Sequence, residues 1–335
     1  MAVTIKDIAA ATKISSSTIS RVLSGRGYVD EKTRLKVERA VSEMGYIYKP
    51  TTTKRNSIDM AMIVMGHTSS AVYDENIAGI GSIFDALNVF WVGTYGSNFN
   101  TEMQESYIMR AIRNHFKGII ILSPIETPTF IKIMNNCSIP FVTMNRPLDY
   151  VRSDEICMDN KAAGMMAVDY LVQKGHRRIS FVGVANSAST DYRKKGFLEG
   201  MAKNGLPVNE NDIMLVWDNL ETSANVGSLI AVAKKDTTAI YAANETLANG
   251  LIDGLRKCGK SVPNDISIMA TDNTNLGRLC TPKLTTVSCN HYNMGAEAAK
   301  LFMERVMNPS GEKRQIYFEP DIIERESVAE NMKIL

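Results

Sequence analysis

A chain of 335 residues with 44% hydrophobic content is too long for one ordinary domain and large enough to build a real core. It has neither an apolar stretch of about eighteen residues that could span a membrane nor the apolar segment of a signal peptide, so we expect a cytoplasmic protein without a membrane partner. The net charge is +2, but eleven Lys and Arg against five Asp and Glu in residues 1–57 leave +6 there and −4 elsewhere, which favours contact between the N-terminal end and nucleic-acid phosphates.

Residues 4–24 have the pattern of two short helices around a tight turn. Thr4 and Asp7 have the spacing of a capping box at the start of the first helix. Ser15 can cap the second helix, whose apolar stripe is Ile19, Val22 and Leu23. Its opposite face carries short hydroxyls and one arginine, which can reach base edges and phosphates. The alternative is an ordinary capped hairpin with a solvated polar face.

A third helix is predicted within residues 29–46, with Asp30 as its N-cap and Val37, Ala40, Val41 and Met44 as its buried stripe. The whole stretch TIKDIAAATKISSSTISRVLSGRGYVDEKTRLKVERAVSEMGY resembles, helix by helix, the headpiece of the lactose-repressor (LacI/GalR) family of bacterial transcription regulators. It departs from the family at Thr12-Lys13, where Ala-Gly is usual. If Lys13 adopts a positive φ, the turn carries backbone strain.

The resemblance implies a helix-turn-helix DNA-binding headpiece at 1–46 whose second helix, about residues 16–23, enters the major groove. A hinge or linker follows at 47–57, but it is short and lacks the leucine that family members insert into the minor groove. Its basic residues are therefore expected to contact phosphates. The expected DNA contacts are Thr4, Ser15, Ser16, Ser17, Thr18, Ser20, Arg21, Ser24, Tyr28, Lys54 and Arg55.

From residue 58 onward, short apolar runs alternate with helical patterns, which predicts an α/β fold with parallel sheets covered by helices. About 210 residues of such units favour two lobes over one sheet. The predicted strands are 59–66, 89–94, 118–123, 139–144, 178–183, 238–243 and 265–270. Examples of predicted helices are 102–116, 160–174, 190–204 and 245–258, and the glycine-rich AGIGS at 78–82 is expected to allow close helix packing.

Several further stretches, among them MDNKAAG at 158–164, AANETLANG at 242–250 and VPNDISIMATDN at 262–273, resemble the effector-binding core of the same family. That core shares its fold with periplasmic sugar-binding proteins. The resemblance implies a two-lobed, periplasmic-binding-protein-like effector and dimerisation core at 58–335. Its first lobe would hold about 58–157 and 288–317, and its second about 158–287 and 318–335.

Candidate effector contacts lie at strand ends, where open α/β sheets bind ligands. Arg193, Asn244 and Asp272 match effector-contacting positions of the family, although each could instead be a salt-bridge partner, a helix cap or a loop cap. The remaining candidates lie in the first lobe or where the chain crosses between the lobes, and they depart from the family pattern. Among them, His291 could simply start a helix. These candidates are Ser70, Tyr73, Tyr95, Asn145 and His291.

Residue types that carry catalysis or bind metals show no organised pattern. The five cysteines lack CxxC spacing, the four histidines lack metal-ligand spacing, and no GxSxG, Walker or complete GxGxxG motif occurs. The sequence therefore predicts no enzyme activity, cofactor or metal.

The resemblance predicts a DNA-binding transcriptional regulator, most commonly a repressor, that responds to a sugar or sugar derivative bound between its lobes. Two headpieces would read a pseudo-palindromic operator, and the absence of leucine heptads at the C-terminus favours a homodimer. One alternative is the solute-binding protein of a sugar transporter, which leaves the basic headpiece unexplained. Another is a sugar-modifying α/β enzyme.

Overall fold

The computed structural model describes residues 4–24, 29–44, 60–65, 71–94, 101–234 and 236–331. The chain divides into two compact units, Met1–Ser57 and Ile58–Leu335. The predicted linker, 47–57, lies outside the described residues. No helix in the described ranges is long and apolar enough to cross a membrane.

The described residues of the N-terminal unit form three helices, α1 (Ile5–Thr12), α2 (Ser16–Ser24) and α3 (Glu31–Glu43). Their apolar stripes meet in a small core centred on Ile8, Ile19 and Val37. The predicted capping box between Thr4 and Asp7 is present. The predicted N-cap of α3 is present as well, because the Asp30 side chain accepts a hydrogen bond of 2.9 Å from the backbone of Thr33.

The turn between α1 and α2 contains the positive φ at Lys13 that the sequence analysis considered. Lys13 ends α1 in the left-handed conformation, with φ 56° and ψ 29°. A residue with a Cβ is strained in this region, where glycine is favoured. Next to it, the buried Thr12 hydroxyl donates to the carbonyl of Ile8 over 2.7 Å, which completes the end of the helix.

The described residues of the second unit form an α/β structure with two six-stranded sheets. Its first part contains β1 (Met60–Met65), α4 (Ala71–Ala86), β2 (Phe90–Gly93), α5 (Thr101–Arg113), β3 (Gly118–Leu122), α6 (Pro128–Asn135), β4 (Phe141–Met144) and β5 (Asp154–Met158). It continues with α7 (Asn160–Gln173), β6 (Ile179–Val184), α8 (Ala188–Lys203), β7 (Ile213–Val216), α9 (Leu220–Ala233), β8 (Ala239–Ala242), α10 (Glu245–Lys257), β9 (Ser267–Thr271), α11 (Asn275–Leu279), β10 (Thr285–Ser288), α12 (His291–Met307), β11 (Gln315–Phe318) and β12 (Asp321–Ile323).

The sheets define two lobes. The sheet of lobe 1 has the order β11-β5-β4-β3-β1-β2, and that of lobe 2 has the order β12-β10-β9-β8-β6-β7. Among the strands that the structure describes, pairing is parallel except between β10 and β12, which are antiparallel. Strands such as β3 are buried along their whole length, as expected for parallel strands covered by helices on both faces. The predicted α/β class with parallel sheets is confirmed.

The chain passes between the lobes three times, from β5 to α7, from β10 to α12 and from β11 to β12. The sequence placed these crossings near residues 157, 287 and 317. Five strands were not predicted: β5, β7, β10, β11 and β12. They have three to five residues each, and β7, β11 and β12 lie at sheet edges, where short strands need no long apolar run.

Glycines allow helices to pack backbone against backbone, as they do between α4 and α12 and between α7 and α8. Gly79, in the AGIGS stretch of α4, lies so close to α12 that a Cβ would be 2.0 Å from the carbonyl oxygen of Tyr292, which confirms the predicted close packing. Gly164 of α7 faces α8 in the same way, because a Cβ on it would lie 2.1 Å from the carbonyl oxygen of Arg193. This second contact fixes the backbone from which the Arg193 side chain projects.

Candidate ligand cleft and nucleic-acid interface

A cavity of about 930 Å³ lies between the two lobes at the carboxyl ends of their strands. Its lining comes from both lobes and from the crossing before α12. Six of the eight predicted effector residues line it together: Tyr73, Asn145, Arg193, Asn244, Asp272 and His291. The other two, Ser70 and Tyr95, lie outside the described residues.

Arg193 is buried, with 9% of the residue exposed, so it is not the surface salt-bridge partner considered as an alternative. Its Nε donates to Oδ1 of Asn160 over 2.8 Å, and its Nη1 donates to the carbonyl of Ala243. Its Nη2 lies 3.4 Å from Oδ1 of Asp272. The guanidinium group has five donors, so these bonds orient it and leave donors for a ligand.

Asp272 follows β9 and holds its carboxylate against Arg193. Its φ of 123° lies in the left-handed region that favours glycine, so this strand end is strained. Burial raises the pKa of Asp272 to about 7, and the positive charge of Arg193 opposes that rise. The carbonyl of Asp272 accepts a hydrogen bond of 2.7 Å from the hydroxyl of Ser288, which fixes the strained backbone.

Asn244 serves as a helix cap and also lines the cavity. Its Oδ1 accepts a 2.8 Å hydrogen bond from the backbone of Leu247 at the start of α10. Its Nδ2 donates to Oδ1 of Asp218 over 2.9 Å. The cap orients the amide, so the two interpretations of this residue are compatible.

The wall formed by lobe 1 contains Tyr73 and Asn145. Tyr73 lies in α4, and burial raises the pKa of its hydroxyl to about 12, partly opposed by a hydrogen bond with the Ser123 side chain. Asn145 follows β4 with a φ of 66°, and its Nδ2 donates to Oδ1 of Asn76 over 2.9 Å. Asn76 in turn donates to the carbonyl of His291 over 2.9 Å, so Asn145 is linked to the start of α12.

His291 is the first residue of α12 and also lines the cavity, with 4% of the residue exposed. Burial, together with the charge of Arg193, lowers the pKa of its imidazole to about 4, so the ring is neutral at physiological pH. Its Nδ1 lies 3.8 Å from the Sγ of Cys289. Its Nε2 is buried without a hydrogen-bond partner in the described part of the chain.

Sequence reasoning missed several polar residues of the cavity. Asn160 orients Arg193, Arg146 lies directly after Asn145, and Trp217 and Asp218 follow β7. Recognising β5 and β7 as strands would have pointed to residues near their carboxyl ends. Among the described residues, two arginines and two aspartates line the cavity, and the formal charges of Arg146 and Arg193 balance those of Asp218 and Asp272.

The candidate DNA-binding face lies on α2. Ser16, Ser17 and Arg21 are exposed, and Thr18 and Ser20 are half-buried. Arg21 is the residue of this face that can grip a guanine with two parallel hydrogen bonds. Tyr28, Lys54, Arg55 and the side chain of Ser24 lie outside the described part of the chain.

Two predicted DNA contacts take part in helix capping. The Thr4 hydroxyl donates to Oδ2 of Asp7 over 2.7 Å. The Ser15 hydroxyl accepts a 3.2 Å hydrogen bond from the backbone of Thr18 and lies 2.9 Å from the hydroxyl of Ser17. A DNA contact by either hydroxyl would have to form in addition to these capping hydrogen bonds or replace one of them.

A helix-turn-helix unit in the same chain as a two-lobed α/β core with an interlobe cavity defines a class, the ligand-responsive DNA-binding proteins. Comparison with known proteins agrees. Residues 4–48 match the model for bacterial regulatory proteins of the lacI family, and residues 168–328 match a periplasmic binding protein-like domain. The chain therefore carries the DNA-binding domain of the lacI family of bacterial regulatory proteins together with a periplasmic binding protein-like domain, the composition of a DNA-binding transcriptional regulator.

Curated relatives match over most of their length. The repressor PurR of Vibrio parahaemolyticus is 29% identical over 331 residues, which are 97% of this chain and 98% of that protein. The repressor CytR of Escherichia coli is 27% identical over 91% of this chain and 90% of its own. These relatives support a transcriptional regulator rather than a component of a transporter.

Solved structures share the fold. A lac repressor dimer bound to operator and the anti-inducer ONPF gives a TM-score of 0.78 at 21% identity, over 98% of this chain and 100% of that one. The regulator CelR in complex with cellobiose gives a TM-score of 0.73 at 22% identity, over 97% of this chain and 99% of that one. A LacI-family regulator from Enterococcus faecium with bound ribose gives a TM-score of 0.71 at 23% identity, over 81% of this chain and 99% of that one.

Proposed function

We propose that this protein is a homodimeric, cytoplasmic repressor whose affinity for a pseudo-palindromic operator is controlled by a neutral sugar or sugar derivative bound between the lobes. The observation that carries the proposal is the interlobe cavity, where six residues selected from the sequence meet. Because the relatives are repressors, we propose regulation without catalysis.

The chemistry of the cavity supports a neutral, polyhydroxylated effector. Its volume of about 930 Å³ lies within the range of small-molecule sites. Arg193 lies against Asp272, and in formal charge the two arginines balance the two aspartates among the described lining residues. Carboxylates, amides and guanidinium groups can together accept from and donate to hydroxyl groups. Structural neighbours hold cellobiose or ribose, which belong to this class of ligand.

The exposed face of α2 supports DNA recognition in the major groove. Arg21 would contact a guanine, while Ser16 and Ser17 would reach base or phosphate acceptors. One headpiece of this size gives few base contacts, so specificity requires two headpieces on half-sites about one helical turn apart. The lac repressor neighbour was solved as a dimer on its operator.

The two-lobed core supports coupling between the sites. An effector that contacts both walls of the cavity would change the closure of the lobes, and thereby the spacing of the headpieces in the dimer. Couplings of this kind typically amount to about 1 to 3 kcal/mol. The direction, induction or corepression, follows from the sign of the measured coupling.

The proposal is tested by gel-shift assays on the DNA upstream of the protein's own gene. The assays use a panel of neutral sugars that begins with ribose and cellobiose, and unlabelled competitor DNA measures specificity. We expect specific binding at low and moderate salt that one class of sugar alters. Binding that competitor DNA of any sequence abolishes equally would contradict operator recognition.

Substitution of Arg21 tests the proposed recognition helix. If Arg21 reads a guanine, Arg21→Ala should weaken operator binding by about 1 to 3 kcal/mol and relax the choice of base at one position. The matched control is Arg34→Ala, which removes the same charge from the exposed side of α3. Equal weakening on all DNA sequences would instead make Arg21 a phosphate contact.

A further inference from the structure

An ion pair joins the two lobes beside the cavity. Nη2 of Arg278, in α11 of lobe 2, lies 3.3 Å from Oε1 of Glu75, in α4 of lobe 1. The two residues are 203 positions apart in the chain. The side chains are 44% and 34% exposed, and an ordinary pair at this exposure contributes about 0 to 1 kcal/mol.

Contacts within lobe 2 orient the guanidinium of Arg278 independently of Glu75. Its Nη2 donates to the backbone carbonyl of Asn273 over 3.0 Å, and its Nε lies 3.5 Å from Oδ1 of Asn273. Oδ1 of Asn273 also accepts a hydrogen bond from Arg325, which fixes the acceptor itself. Because the arginine is already held, forming the ion pair loses less side-chain entropy than a pair of mobile chains would.

The segment 272–278, which carries Arg278, is rigidly attached to lobe 2. Oε2 of the buried Glu245 accepts hydrogen bonds from the backbone of Thr274 over 2.9 Å and from the backbone of Gly277 over 3.2 Å. A Cβ on Gly277 would lie 2.0 Å from Oε1 of Glu245, so the segment packs directly on this carboxyl group. The segment is therefore held to lobe 2 at two backbone positions.

Both ends of the ion pair lead back to the cavity. Segment 272–278 begins at Asp272, whose carboxylate faces Arg193. On the other side, α4 carries Tyr73, which lines the cavity two residues before Glu75. A ligand between Asp272 and Tyr73 would therefore pull on the two elements that the ion pair connects.

We propose that Arg278 and Glu75 form an interlobe latch that stabilises the closed arrangement of the lobes and makes the proposed effector site responsive to lobe closure. The latch extends the proposed function to the regulation of the same site and rests on that function for its ligand-dependent consequence. Its effect on lobe opening without ligand is independent of the nature of the effector.

The test is hydroxyl-radical footprinting of the full-length, ligand-free protein. The modification rates of Tyr73 and Met158, both buried in the wall of the cavity, report opening of the lobes, and the exposed Tyr150 gives the radical dose. We expect Glu75→Gln and Arg278→Gln each to increase the rates at Tyr73 and Met158 by about two- to fivefold. Because each single variant removes the same ion pair, the double variant should be no more reactive than either single variant.

The matched control is the ion pair between Lys161 and Glu199, which joins α7 to α8 within lobe 2 and whose side chains are 42% and 41% exposed. Lys161→Gln and Glu199→Gln should leave both cavity-wall rates unchanged. Unchanged rates in the Glu75 and Arg278 variants would overturn the latch, as would single effects that multiply in the double variant. If no sugar alters operator binding by the wild type, the proposed effector class fails while the footprinting result still decides the latch.

Discussion

The two walls of the interlobe cavity differ in how much of their polar chemistry is already satisfied. In lobe 2, Arg193 makes hydrogen bonds to Asn160 and Ala243 and pairs with Asp272. In lobe 1, Arg146 has no ion-pair partner among the described residues. A wall whose groups are already oriented loses little entropy on binding a ligand, whereas a wall with an unpaired group gains a new interaction when it closes. We infer that lobe 2 defines the geometry of the proposed site and that lobe 1 adapts to its occupant.

The largest effect is expected from Arg193→Gln, because it removes the centre of the preorganised wall. The variant loses donors to the effector and leaves the half-buried Asp272 without its cation, so effector affinity should fall by about 2 to 5 kcal/mol, about thirtyfold or more. Isothermal titration calorimetry with the sugar identified by gel shift measures the loss. Lys195→Gln, an exposed neighbour on α8, serves as the control. Unchanged affinity would remove Arg193 from the site, and operator binding without effector should persist in both variants.

The next effect is a pair of opposite pH dependences. Asp272 has a pKa of about 7 in the folded protein against 3.8 for the free group, so its contribution to the free energy of unfolding decreases as pH rises from about 4 to about 7. His291 has a pKa of about 4 against 6.5, so its contribution is present above 6.5 and is lost as pH falls toward 4. In the wild type the two slopes oppose each other.

Substitution should separate these two slopes. Relative to the wild type, Asp272→Asn should gain stability as pH rises from 4 to 7, and His291→Gln should lose stability as pH rises from 4 to 6.5. We expect changes of about 1 to 3 kcal/mol across each window. Urea unfolding at a series of pH values measures them. Curves that run parallel to the wild type would show that neither group titrates differently in the folded and unfolded states.

The smallest effect is expected from Arg146→Gln in the wall of lobe 1. If Arg146 donates a hydrogen bond to a neutral sugar, its loss should weaken binding by about 1 to 1.5 kcal/mol, about five- to tenfold. Arg152→Gln, at an exposed position further along the same loop, is the matched control. A loss larger than that of Arg193→Gln would reverse the comparison of the walls and would indicate an anionic effector.

The wall of lobe 2 was more predictable than that of lobe 1. Arg193, Asn244 and Asp272 lie in stretches that resemble the family, and the structure brings all three to the cavity. Asn160 and Asp218 were missed because β5 and β7, the strands that precede them, are short and were not recognised. In lobe 1, Arg146 has no local pattern that distinguishes it from an ordinary surface arginine.

The sequence alone determined the features that depend on neighbours a few residues apart. These include the capping box of Thr4 and Asp7, the cap at Asp30, the apolar stripes of α1 to α3 and the alternation of strands and helices. Helix caps and periodic faces arise from backbone geometry over three or four residues, so a local pattern is sufficient to predict them. The left-handed turn at Lys13 also belongs to these local features.

The tertiary structure decided which distant groups meet. Arg193 and Asp272 are 79 positions apart, and Glu75 and Arg278 are 203 apart. Their contact depends on the order of strands in two sheets and on three crossings between lobes, which no local periodicity specifies. The altered pKa values of Asp272 and His291 depend on the same packing, because desolvation and neighbouring charges exist only once the lobes have closed around them.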